Sequence, residues 1–148
     1  MELRSVEELM DLLYACRGAR YLPGPGSARV DLHQHALRTA ALLRRARPAD
    51  KELQVAGLVH AIGPLLHRRE GGHGDCAADA VRPLLGERVS RLVRDHSQAP
   101  EAADDDLLRL RQADEEGRGA AFDAGVLEDW RTVLELVAAR NSAFGTVD

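Results

Sequence analysis

The sequence predicts an all-α protein, a bundle of about six to seven helices in a single domain spanning residues 1–148. Three observations lead there. Apolar residues recur at spacings of three and four along almost the whole chain, the period at which side chains share one helix face. No sustained apolar-polar alternation suggests a sheet. A chain of 148 residues can build one genuine core but is too short for two comfortable ones, and it contains no repeat, low-complexity tract or long linker.

The elements follow in order. Ser5 to Glu8 fits a capping box and opens a helix through Leu9, Leu12, Leu13 and Cys16, which Gly18 ends. The Pro and Gly content of residues 21–27 makes them a loop, and no Gly-Lys-Ser/Thr ending follows to make it a P-loop. A second helix spans about Val30 to Ala46, with Leu32, His35, Ala36, Thr39, Leu42 and Leu43 along one side. Pro48-Ala49-Asp50 breaks the chain and caps a third helix, which turns Leu53, Ala56, Gly57 and His60 inward until Gly63-Pro64 interrupts it. After a loop at residues 71–75, Asp75 is expected to cap a fourth helix through Leu84-Leu85. Further helices are expected over about Glu87–His96, Leu107–Glu116 and Leu127–Ala139.

Composition narrows the function classes. A formal net charge of −4 gives no reason to expect nucleic acid as a partner, and few aromatic residues argue against a base-stacking platform. The start of the chain lacks the apolar core of a signal peptide, and no apolar run approaches the ~20 residues needed to cross a bilayer. A soluble, cytoplasmic protein with a small-molecule substrate and no membrane partner is the expectation. Cys16 and Cys76 are expected to be reduced, partly buried thiols. The pairs Arg44-Arg45 and Arg68-Arg69 read as solvated helix ends that could also hold an anionic substrate.

Five residues carry candidate chemistry. His35 and His60 lie on the apolar sides of consecutive helices, where two imidazoles are either core residues or metal ligands. By position alone His73 and His96 suit a solvated or helix-dipole role, and Asp114 a surface carboxylate. Their order along the chain adds a second reading. The stretches Gln34–Ala40 around His35, Leu58–Gly63 around His60, His73 with Asp75, Val93–His96, and Leu110–Asp114 resemble, in unbroken sequence, the motifs of HD-domain proteins. The match covers roughly residues 21–118 and its spacing is most similar to the small HD-domain oxygenases, including the organophosphonate-cleaving di-iron type.

That resemblance implies an HD-domain-like helical bundle and a metal centre. His35, His60 and Asp114 would correspond to the ligands of a first metal, and His73 and His96 to ligands of a second. The signature His-Asp pair is His60-Ala61 here, so the aspartate that bridges two metals in the family is replaced. The first site keeps two imidazoles and a carboxylate, a set suited to mononuclear non-haem iron. The second keeps only histidines. Tyr21 is a candidate substrate contact by the same resemblance. Pro64 and Pro100 stand where the phosphonate oxygenases carry a histidine and a lysine, which removes support for phosphonate as substrate. Three functions stay open: an iron-dependent oxygenase-like enzyme, a divalent-metal phosphohydrolase, and a metal-free HD-like pseudoenzyme or protein retooled for metal-independent function.

Overall fold

The computed structural model describes residues 2–16, 31–60, 62, 73–96, 104–119 and 123–145; among these lie seven α-helices, one 3-10 turn and no strand. Helix α1 (Val6–Ala15) starts at Ser5, whose Oγ accepts the Glu8 N–H at 3.1 Å. The Glu8 carboxylate accepts the Arg4 N–H at 2.9 Å, so the reciprocal half of the capping pair closes one residue earlier than the motif expects. Helix α2 (Leu32–Ala46) begins slightly after the expected Val30. Asp31 sets that start, because its Oδ1 accepts the N–H groups of His33 and Gln34 at 2.8 and 3.3 Å.

Helix α3 (Lys51–Val59) is capped by Asp50, which accepts the Leu53 N–H at 3.1 Å. The buried Gln54 amide donates to the carbonyls of Arg47 and Pro48 at 2.7 and 3.1 Å and so fixes the turn between α2 and α3. Helix α4 (His73–Leu85) starts at His73, so Asp75 sits in its first turn instead of capping it, a position the helix dipole also favours for an acid. Gly86 links α4 to α5 (Glu87–His96) alone, in the left-handed conformation at φ 99° that glycine adopts without penalty. Helix α6 (Asp105–Gly119) extends beyond the expected Leu107–Glu116, since Asp104 caps it by accepting the Leu107 N–H at 2.9 Å. A 3-10 turn (Leu127–Trp130) leads into α7 (Arg131–Gly145).

Helix α2 packs against both α3 and α6, α3 also meets α5, and α4 lies along α5. Leu32, Leu43, Leu53, Leu58, Val81, Val89, Leu92, Leu110 and Trp130 are among the side chains that fill the shared core. Gly57 permits the close approach of α2 and α3: a Cβ there would collide with Leu43 Cδ1 and lie 3.3 Å from Thr39 Cγ2. Cys16 is a free, buried thiol whose pKa burial pushes up to about 12, which keeps it unreactive.

At one end of the bundle, charges join helix termini. Arg88 on α5 grips both oxygens of Asp50 at 2.7 and 2.8 Å, and reaches Glu52 at 3.0 Å and Asp106 at 2.9 Å. Arg47, at the C-terminus of α2, pairs with Asp105 and Asp106 in the first turn of α6. One guanidinium thus holds the N-termini of α3 and α6 against α5. The bonds from Arg88 lower the Asp50 pKa, outweighing the opposing effect of burial. A depressed folded pKa means that this stability is complete above the unfolded value near pH 4 and is lost as pH falls through the folded value. Asp50→Asn keeps a capping oxygen but not the charge pair, and should cost about 1 kcal/mol at neutral pH. Asp50→Ala loses both and should cost about 2 kcal/mol. Urea unfolding at pH 7 and pH 3 checks this, with the gap between wild type and Asp50→Asn narrowing at the lower pH.

Candidate metal centre

The site forms where α2, the end of α3 and α6 meet. His35 is fully buried on α2, and His60 is 5% exposed at the C-cap of α3. Asp114, on α6, is the member of the group nearest solvent, its side chain 15% exposed. Asp114 Oδ1 stands 2.6 Å from His35 Nε2 and 3.1 Å from His60 Nε2. The two Nε2 atoms are 3.3 Å apart, and one ligand atom from each residue falls within 4.8 Å of the others, so the group could hold a metal ion.

Local folding sets each ring. Helix α3 stops at Val59, before the expected Gly63-Pro64 break, because the His60 ring turns back on its own helix: its Nδ1 meets the Gly57 carbonyl at 2.5 Å. The Ile62 N–H then bonds Val59 O in a tighter turn. A carbonyl can only accept, so the proton belongs on Nδ1 and the His60 Nε2 lone pair faces the cluster. His35 is set by close helix packing. A Cβ on Gly117 of α6 would crowd Thr39 Oγ1 at 2.9 Å and stand in ordinary contact with the His35 ring at 3.5 Å, so the bare glycine lets α6 approach this face of α2. Thr39 Oγ1 donates to His35 O at 2.9 Å one turn along α2. Burial opposes ionisation of Asp114, but the His35 and His60 rings set against it outweigh that effect and hold the carboxyl well below the usual range.

His96 repeats the arrangement of His60. It ends α5, its Nδ1 donates to Val93 O at 2.7 Å, and its ring stands edge-on to His60 with centroids 4.9 Å apart. Burial, reinforced by the neighbouring His60, lowers its pKa to about 4, so it is neutral at physiological pH. His96 borders the cluster without joining the three ligand atoms that converge. The backbone of His73 opens α4, while its side chain, like those of Asp75 and Cys76, lies outside the described residues. Tyr21, Ala61, Gly63, Pro64, the Arg68-Arg69 pair and Pro100 also lie outside them.

Two features were not anticipated from sequence. Gly117 has no motif to mark it, and only its place one turn after Ala113-Asp114 hinted at the cluster face. His33 is buried too, but residues two apart do not share a helix face. It points to α1, with Nδ1 3.0 Å from Leu13 O and its ring stacked on Tyr14. Elsewhere an open groove of about 660 Å³ runs past Arg47, Lys51, Arg88 and Arg140, and none of the cluster residues lines it.

Compared with known proteins, the chain matches no protein-family model and no curated protein.

Adding a methyl group at Gly117 gains about 1 kcal/mol of helix propensity but overpacks Thr39 at a cost of about 1–3 kcal/mol. Gly117→Ala should therefore be net destabilising by about 1 kcal/mol. Urea unfolding reads the sign, and an unchanged or raised midpoint would show that α2 and α6 part easily.

Proposed function

We propose that this chain is a degenerate HD-domain metalloenzyme that binds one iron through His35, His60 and Asp114 and acts, oxygenase-like, on a small polar or anionic molecule. One observation carries the reading: three ligand atoms from three helices converge in a largely buried space, with the His60 lone pair turned toward the other two. The spacing of the imidazoles fits. Bonds of about 2.1 Å, at angles from about 90° to 109°, hold two ligand nitrogens about 3.0–3.4 Å apart, and the observed separation is 3.3 Å. Two imidazoles and a carboxylate suit Fe(II), which would supply Lewis acidity and redox chemistry with positions left open for substrate and oxygen.

The residues of the chain have separable tasks in this reading. The Gly57 carbonyl orients His60 and raises its basicity as a ligand. Gly117 lets α6, which carries Asp114, come up against Thr39 and His35 on α2. Asp114, the most exposed of the three, marks the side from which a substrate arrives. Neutral His96 stands beside the centre, its ring edge-on to His60.

One contact favours a second reading. The 2.6 Å between His35 Nε2 and Asp114 Oδ1 is a hydrogen-bond length, shorter than two ligands around one metal usually keep. A proton in place of a metal would give a metal-independent or non-catalytic relative of the fold.

Elemental analysis after anaerobic purification with Fe(II) separates the two. About one iron per wild-type chain is expected, with at least tenfold weaker uptake in His60→Ala and Asp114→Ala. A wild-type chain that stays metal-free sinks the metalloenzyme reading and leaves the proton-held triad. Restoring the signature carboxylate with Ala61→Asp should raise metal content above that of wild type.

A further inference from the structure

The four helices that carry His35, His60, His96 and Asp114 also meet in one charge cluster at an end of the bundle. Arg47 closes α2, Asp50 caps α3 with Glu52 in its first turn, Arg88 stands in the first turn of α5, and Asp105 and Asp106 open α6. Arg88 joins three of these helices by itself, taking both oxygens of Asp50 and reaching Glu52 and Asp106. Arg47 ties α2 to the same turn of α6 through Asp105 and Asp106. Among the described residues, no side chain of α1, α4 or α7 bonds to this cluster. Each site residue lies eight to twelve positions along its own helix from the member that helix gives to the cluster. At the helical rise that is roughly 12–18 Å.

Apolar burial holds helices together without direction, whereas a bidentate charge pair selects one register. A slip of a helix at its charged end reappears at the site residue further along it. Metal ligands tolerate only about 0.2 Å of such error in their distances. We propose that Arg88 is a positioning residue of the candidate metal centre: by holding Asp50 and Asp106 it sets α3 against α6, and so sets where His60 Nε2 stands relative to Asp114 Oδ1. This rests on the metal-centre reading above. The Arg88 side chain is 30% exposed, so its ion pairs add little stability, and their larger effect is on placement. The plain alternative is that Arg88 only stabilises the bundle.

Co(II) titration of wild type and two arginine variants separates these, with affinity and the visible Co(II) bands as readouts beside urea unfolding. Arg131 is the matched control: its side chain is also 30% exposed, and it pairs with Glu7 and Glu128, on elements that carry none of the three ligands. Arg88→Gln should weaken Co(II) binding about fivefold or more and shift the bands at saturating Co(II). Arg131→Gln should lower the urea midpoint too, yet keep Co(II) affinity within about twofold and the bands of wild type. Arg88→Lys, which keeps the charge but loses the planar fork, should fall between wild type and Arg88→Gln. If Arg88→Gln does not fold, Asp106→Asn carries the comparison, with a smaller loss in the same direction. Wild-type affinity and bands in Arg88→Gln, or in Asp106→Asn where it stands in, overturn the proposal, as does an equal loss in Arg131→Gln. A wild-type chain that takes up no Co(II) instead overturns the metal reading, and this inference with it.

Discussion

Nε2 of His35, Nε2 of His60 and Oδ1 of Asp114 converge where little water reaches them, and like-signed electron pairs repel more strongly there than in water. The His60 proton is committed to the Gly57 carbonyl, so His60 brings a lone pair and not a donor. A proton on His35 Nε2 or a metal ion can fill the space between them. Much of the surrounding architecture serves that convergence. Helices α2, α3 and α6 must come close enough for three short contacts, and they do so where Gly57 and Gly117 remove side chains from the crossings.

The opposite kind of charge arrangement holds the bundle together elsewhere. Asp50 and Asp106 stand at helix N-termini, where the backbone already favours a negative group, and Arg88 satisfies both from a third helix. Those groups remain partly solvated, so their ion pairs add modestly to stability and fix relative helix positions. The cluster at His35 is less exposed, and its balance depends on what is bound. One charged network orders the scaffold, and the other could hold a metal ion.

Much of this was legible in the sequence. Apolar spacing and the Asp50 cap marked the helices, and the capping aspartates at positions 31 and 104 explain the shifted starts of α2 and α6. The first-site trio was legible because His35 and His60 fall on apolar faces and Asp114 completes a familiar order of motifs. What stayed hidden depends on distances across the core. No local pattern says that Gly117 faces His35, because that needs the register of α2 against α6. Nor does a pattern say that the His60 ring ends its own helix, or that His96 borders the first trio. Such facts arise from tertiary packing, which one-dimensional periodicity does not encode.

The tethering of His60 and His96 to carbonyls three residues behind them has an evolutionary consequence. Each ring is tethered to the helix it terminates and not to the segment that follows directly. The connections that follow can then lengthen, shorten or change composition while the imidazoles keep their aim. A scaffold built this way separates the aim of its histidines from the make-up of the segments that follow them.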